Sequence, residues 1–368
     1  MALLGFDSFA HYTTLAQKGW TVGVTGTAPT IAAEGRTASC VKWTLTGSQT
    51  AATLTYAPAR PSATISGALG FAIKVTGLSN VSPLNKTLLA FMQSGVSGLT
   101  VMLNTDGTLT LRRLDPLAET DLATTSGAIV DGVWAYLGFD WALANAGSFL
   151  INLAGAGDVL TFSGDTLSSG IVLPEWQSIR FLGGILPTYG DVRSFQVGAG
   201  TTTVHVCDFY LIDKEGAYTT DLLGNVTAEC LLPQTDAVDP GTNSDWTCST
   251  GGDHGALVDE NPPDDDTTYL SIDTTGKDTW NYPPMSVDAA TIYGVQVSTC
   301  AKKADSGTAE FKNLARVTTV DNQGTTTHSP ADTGYVYYKD VWERNPDDST
   351  VWTPADIADA EFGVERTA

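Results

Sequence analysis

The sequence predicts an all-β protein built from two tandem β-sandwich domains of jelly-roll type. Three observations predict it. Apolar residues come in short runs with period two, the side-chain period of a strand, and helical spacing is not sustained over ten or more residues. Thr, Gly, Ser and Ala dominate, with turn residues between the runs. The charge is split unevenly: residues 1–217 hold 15 acidic and 11 basic residues, whereas residues 218–368 hold 26 and 8. A chain of 368 residues, 42% of them hydrophobic, also exceeds what one core normally holds.

The strands of the first domain, residues 1–217, follow in order. Residues 67–75 carry Leu69, Phe71, Ile73 and Val75 on one face. Residues 87–93 form a short apolar run. Residues 99–104 and 109–113 flank Thr105-Asp106-Gly107, and Asp-Gly tolerates the positive φ of a tight hairpin. Residues 132–141 alternate Trp134 and Tyr136 with small residues and continue through Phe139 and Trp141; residues 148–153 and 178–182 come next. In 205–212, Val206, Asp208 and Tyr210 oppose Cys207, Phe209 and Leu211, and two largely apolar faces suit a buried central strand. Short strands at this spacing make a two-sheet sandwich.

Lys214-Glu215-Gly216 reads as the joint. The second domain, residues 218–368, has strand candidates at 225–232, 254–259, 268–272, 279–282, 291–302, 310–317, 334–342 and 361–366. Tyr293, Val295 and Val297 alternate, as do Val336, Tyr338 and Trp342 against Tyr335, Tyr337 and Val341. Thr353-Pro354-Ala355-Asp356 offers an N-cap hydroxyl, Pro at the first helical position and an acid at the third, so a helix of about two turns starts there. A last strand after it closes the sandwich against an earlier one.

Three stretches carry a resemblance. They are VHVCDFYLIDKEG with LLGNVTAECLLPQTD (204–216 and 222–236), NSDWTCSTGGDHGALVDENPPDDDTTYL (243–270) and VWERNPDDSTVWTPADIADAEFGVER (341–366), joined by the opening LLGFDSFAHY (3–12). In these the chain resembles a family of tailed-bacteriophage virion proteins, in which a laminin-G-like (concanavalin-like) sandwich precedes an acidic module. The resemblance covers most of 201–368, and the first 200 residues only by sandwich character. It departs at Cys248 and the apolar-poor loop 240–255. It implies a virion protein without placing it in the particle: tail fibre, tail-tip component, minor tail protein, and capsid decoration or head fibre all remain.

The charge pattern bears on partners. A net charge of −22 repels phosphate backbones, so nucleic acid is not an expected partner. No stretch nears the roughly 18 apolar residues of a membrane span, and the N-terminus lacks the basic and apolar regions of a signal peptide. Asn80, Asn85 and Asn225 then stand in sequons that go unused. The five cysteines, Cys40, Cys207, Cys230, Cys248 and Cys300, are odd in number and spread out, which suits free thiols from a reducing cytoplasm, with one bridge in the second half as the alternative.

Chemistry-bearing groups are sparse. Pro262-Pro263-Asp264-Asp265-Asp266-Thr267 is the densest acidic site. Asp264, Asp265 and Asp266 are calcium candidates by their oxygens, against a solvated loop whose Asp side chains cap backbone N–H groups; the spacing is not that of an EF-hand loop. Trp20, Trp176 and Tyr189 stand in turn-like contexts and are the candidates for stacking on a sugar ring, against half-burial under a loop. Glu34, Glu119, Glu175 and Glu215 are isolated, and no E-x-D-x-x-E strand supplies the paired carboxylates of a glycosidase. His11, His205, His254 and His328 form no metal pair or nucleophile elbow, and His205, at a strand start, reads as a structural histidine. The expectation is therefore a non-enzymatic virion protein, made in the host bacterial cytoplasm, without cofactor beyond the calcium candidates. Its partners would be other virion proteins and its own copies, a trimer favoured because symmetry multiplies weak contacts. The alternative function is a lectin-like module for a host surface glycan.

Overall fold

The computed structural model describes residues 3–36, 38–58, 65–93, 96–115, 118–168, 176–185, 192–236, 245–286, 291–331 and 334–368. The chain forms two compact units, Met1–Phe9 with Thr14–Ala228, and Ala10–Thr13 with Glu229–Ala368.

The first unit is built on two antiparallel sheets. The eight-stranded sheet runs in the order Gly157–Gly164, Gly147–Leu153, Ala135–Ala142, Ser66–Thr76, Thr201–Ile212, Cys40–Thr46, Thr30–Ala32, and Leu3–Asp7 also pairs with Thr201–Ile212. The nine-stranded sheet runs Ala118–Ala128, Thr108–Asp115, Val96–Leu103, Val81–Gln93, Ser178–Phe181, Leu54–Tyr56, Trp20–Val22, with Val192–Val197 against Val81–Gln93 and Gly183–Ile185 against Val192–Val197. Leu69, Phe71, Ile73 and Val75 are buried on one face of their strand, as their alternation requires. Aromatic contacts join the sheets: Phe71 meets Phe181 at 5.0 Å, and Trp141 meets Phe91 at 4.8 Å between ring centroids. Aromatic rings bury much area each, so these contacts dominate the core.

The other face of Ser66–Thr76 carries Ala68, Gly70 and Ala72, and these are buried as well. Small residues are needed here. A Cβ on Gly70 would lie 2.4 Å from the Tyr210 ring, and one on Gly138 would lie 3.2 Å from Leu222. The segment after Thr201–Ile212 is tied back to this sheet. Tyr210 Oη accepts the Leu223 N–H at 3.0 Å, and Asp208 accepts both the Ala228 N–H and Arg36 Nε at 3.0 Å. The Arg36 guanidinium also donates to Asn225 Oδ1, the Val226 carbonyl and Thr227 Oγ1. The compact unit therefore continues past Gly216 to Ala228.

Asp208 changes the face pattern expected for 205–212. It sits at φ 50°, and the register with Ser66–Thr76 shifts between Cys207 and Tyr210. This bulge turns the Asp208 carboxylate toward Arg36 rather than keeping it in step with Val206.

The second unit centres on a five-stranded sheet, in the order Thr235–Asp236, Gly276–Asn281, Glu361–Arg366, Phe311–Val317, Val320–Gln323. A ribbon pairs Val295–Ala301 with Val336–Trp342, and a short one pairs Thr247–Cys248 with Leu270–Ser271. One face of the sheet carries Trp280, Phe311, Ala315, Phe362 and Val364 into the core, where Trp352 and Ile357 also lie. The opposite face carries ion pairs: Arg316 pairs with Asp321 and Glu361, and Lys277 pairs with Asp321.

The helix is Pro354–Asp359, capped as its sequence requires, with Thr353 Oγ1 accepting the Asp356 N–H at 3.1 Å. Glu361–Arg366 follows it and lies between two earlier strands. Residues 225–232 and 254–259 are not strands. The Val226 carbonyl is spent on Arg36, and the Asp236 carboxylate captures the N–H groups of His254 and Gly255, turning the chain into the 3-10 helix Gly255–Leu257.

Candidate functional site

Three strands of the eight-stranded sheet place a basic row on its outer face. His205 pairs with Lys42 on one side and Lys74 on the other. Directly opposite residues in a sheet point to the same face, so the three side chains line up. Trp134, one residue before Ala135–Ala142, closes the row. Its ring lies 6.0 Å from the His205 ring, edge-on, and Lys74 Nζ stands 5.2 Å from its centroid, a cation–π distance.

Glu34 supplies the carboxylate of this cluster. It accepts from Lys42 Nζ at 2.7 and 2.8 Å and lies 3.3 Å from His205 Nε2. The Lys42 bond, then the His205 bond, holds its carboxyl below the usual range. Burial pushes the His205 imidazole down, so it is neutral at pH 7. The surface thus offers an aromatic face, ammonium donors and a carboxylate acceptor side by side. Those are the groups that bind a sugar ring: a flat apolar face for its C–H side and fixed polar groups for its hydroxyls.

Two of the residues expected from sequence do not serve that purpose. Trp20 is 2% exposed and Trp176 0%. Trp20 Nε1 donates to Asp7 Oδ2 at 2.8 Å, and the ring packs among Phe9, Tyr56, Phe181 and Phe209. Trp176 Nε1 donates to the Ser66 carbonyl at 2.9 Å, and its ring meets Trp141 edge-on. Both are corrected to core residues: their turn-like sequence context hid that their indoles reach into the sandwich. Tyr189 lies outside the described residues. Trp134 is the tryptophan of the first unit whose ring stays half-buried, since Trp43 and Trp141 are in the core too. Its signal in the sequence was its place just ahead of a strand, beside the exposed turn Asp131-Gly132-Val133.

The acidic loop divides its carboxylates among separate partners. Asp264 Oδ1 accepts the Thr268 N–H at 3.0 Å and its hydroxyl at 2.8 Å. Asp265 sits at φ 59°. Asp266 pairs with Lys302 at 2.6 Å and accepts from Tyr335 Oη at 3.1 Å, and Lys302 holds its carboxyl low. Among the described residues, no three His, Cys, Asp or Glu side chains gather as a metal site.

The second unit holds two buried His–Asp pairs. His254 Nδ1 lies 2.7 Å from Asp278 Oδ2, and burial pushes the Asp278 carboxyl up to about 6 against the opposing pull of His254. His328 Nε2 lies 2.7 Å from Asp340 Oδ2, which also accepts from Asn313 Nδ2 at 2.9 Å. Burial pushes Asp340 up, but the His328 and Asn313 bonds outweigh it and leave the carboxyl low. Among the described residues no cysteine forms a disulfide. Burial pushes the Cys207 and Cys300 thiols up to about 12, so at neutral pH they are thiols rather than nucleophilic thiolates. Among the described residues, no helix is long and apolar enough to cross a membrane.

No protein-family profile and no curated protein matches the chain. Solved structures do. The chain is similar to the endo-β-1,4-glucuronan lyase of the fungus Trichoderma reesei, with TM-score 0.41 and 14% identity over 56% of this chain and 95% of that one. It is similar to a carbohydrate esterase of Shiga toxin-encoding bacteriophage phi24B, with TM-score 0.34 and 18% identity over 56% and 98%. It is similar to the binding domain of botulinum neurotoxin DC, with TM-score 0.36 and 14% identity over 54% and 43%. By its own antiparallel sheets the protein is an all-β protein of sandwich class. The expectation of a non-enzymatic protein is corrected, because a lyase and an esterase are among the structures it is similar to.

Proposed function

We propose that the protein is a component of a bacteriophage particle, in a tail fibre, tail tip or minor tail position, and that its first unit contacts a host surface glycan. The observation that carries the glycan contact is Trp134, half-buried on a sheet surface with Lys74 beside its ring and Glu34, His205 and Lys42 in line with it. The virion setting rests on the sequence stretches in 204–236, 243–270 and 341–366. Within that setting the partners are neighbouring virion proteins and further copies of the chain, a trimer first among them. Repetition on one particle would turn a weak single contact into firm attachment.

Two measurements test the reading. The purified full chain is applied to an array of bacterial surface glycans, and Trp134→Ala is compared with it. Binding should fall at least about tenfold, the order expected when an aromatic anchor is removed. Equal binding by the variant refutes the Trp134 contact. Antibody labelling of intact particles tests the setting, and particles without label refute it.

A further inference from the structure

A second row of side chains runs beside the basic row on the outer face of the eight-stranded sheet. Thr203 pairs with Thr44 on one side and Thr76 on the other, two residues along from His205 with Lys42 and Lys74. Positions two apart on a strand share a face, so the threonines flank the lysines. This surface is open. Thr44 and Thr76 are exposed, and Thr203, Lys42, Lys74 and Trp134 are half-buried. The three threonine hydroxyls make no hydrogen bond among the described residues.

The charges along the basic row are unequally matched. Lys42 is held by Glu34 at 2.7 Å, and Glu34 also meets His205 at 3.3 Å. Lys74 has no carboxylate within ion-pair distance among the described residues, and its ammonium stands over the Trp134 ring. Asp131, three residues before Trp134, turns one carboxylate oxygen to the N–H groups of Gly77 and Leu78 at 2.7 and 2.9 Å. In a chain with 41 acidic and 19 basic residues, an ammonium left to an aromatic ring does not reflect a shortage of acids.

The two ends of the row therefore suit different partners. At the Lys74 end an ammonium with three donors and no acid favours a carboxylate. At the Lys42 end Glu34 already neutralises the lysine; it repels a second carboxylate and accepts hydrogen bonds from hydroxyls. The backbones of Lys42 and Lys74 lie two strands apart, about 10 Å, which is the reach of two linked sugar rings. Threonine hydroxyls, each both donor and acceptor, line that span and match the hydroxyls of a sugar.

We infer that the Trp134 face selects a glycan in which an acidic sugar is linked to a neutral one, with the sugar carboxylate on Lys74 and the neutral ring between Glu34 and the threonine row. The inference rests on the Trp134 contact proposed above and names the class of glycan that contact takes.

Calorimetric titration of the full chain tests it with three oligosaccharides of equal length: one alternating glucuronate with N-acetylglucosamine, one of glucuronate alone and one of N-acetylglucosamine alone. The alternating ligand should bind about tenfold more tightly than the neutral one, the lower end for a charge-assisted bond at a half-exposed site. It should also bind more tightly than the all-acidic one. Lys74→Gln should bring the ratio of alternating to neutral binding close to one, and Lys74→Arg, which keeps the charge, should restore it. Glu34→Gln should raise binding of the all-acidic ligand toward that of the alternating one. Neutral or all-acidic ligand binding as tightly as the alternating one, no binding of the alternating ligand, or a ratio indifferent to Lys74→Gln would each overturn the inference. If the neutral ligand binds best and Trp134→Ala abolishes that binding, the Trp134 contact stands and the preference is refuted. If Trp134→Ala changes no binding on the glycan array either, both are refuted.

Discussion

Replacing Asp278 with Asn should flatten part of the acid-range stability profile of the second unit. Asp278 has no exposed side-chain surface, and its Oδ1 is buried without a hydrogen-bond partner. Its carboxyl is pushed from 3.8 up to about 6 by burial. The folded state therefore binds the proton more tightly than the unfolded chain does. Between about pH 4 and pH 6 the unfolded carboxyl is already ionised while the folded one still holds its proton, so stability contributed here is present at low pH and lost as pH rises. The difference of roughly 2 pH units corresponds to about 3 kcal/mol at 1.36 kcal/mol per unit. That is an upper value, because the carboxylate is directly bonded to His254 at 2.7 Å. Asn keeps the shape and cannot ionise.

The quantity to measure is the difference between variant and parent in denaturant unfolding, followed by Trp fluorescence from pH 4 to pH 8. The difference cancels the acid-labile contributions of Asp321 and Asp340, whose carboxyls are held low and whose stabilisation runs the other way. The variant should gain on the parent by one to three kcal/mol, on the order set by the linkage relation, as pH rises through 6. A difference that stays constant with pH, or shrinks as pH rises, refutes the assignment.

Other expectations concern the first unit. Trp176→Ala should cost about 3–5 kcal/mol by denaturant unfolding, the range for removing a large aromatic from a core, and a cost below about 1 kcal/mol would contradict its burial. Asp208→Ala should leave Arg36 without its buried acid and release the Ala228 N–H. It should cost roughly 3 kcal/mol and open residues 217–228 to limited proteolysis, and an unchanged cleavage pattern would show that the segment is held otherwise.

Much of the strand content was legible because it obeyed one local rule. Leu69, Phe71, Ile73 and Val75 alternate in sequence and face the core in space. Thr353 announced its helix through a cap that needs only four residues. The misread parts depended on partners distant in sequence. Asn225–Thr227 looked like a strand until Arg36, some 190 residues earlier, took their oxygens. Val320–Gln323 lacks alternation because it is an edge strand held by backbone pairing with Phe311–Val317. The tryptophans failed for a related reason. Whether an indole is buried depends on which strand crosses above it: Trp20, in a turn-like context, is in the core, while Trp134, in an alternating run, stays half-buried. The row Lys42–His205–Lys74 was invisible in one dimension, because it exists only once three strands lie side by side.

The position of Glu361–Arg366 bears on synthesis. It is an inner strand of its sheet, pairing with Gly276–Asn281 and with Phe311–Val317, yet it leaves the ribosome after both. Until it emerges, those two strands lack their shared partner, and Trp280 and Phe311 lack the Val364 side chain they pack against. A chain that stopped before Glu361 would carry a finished first unit and an open second one. The sheet of the second unit thus closes only in molecules translated through Arg366, a completeness requirement set by strand order alone.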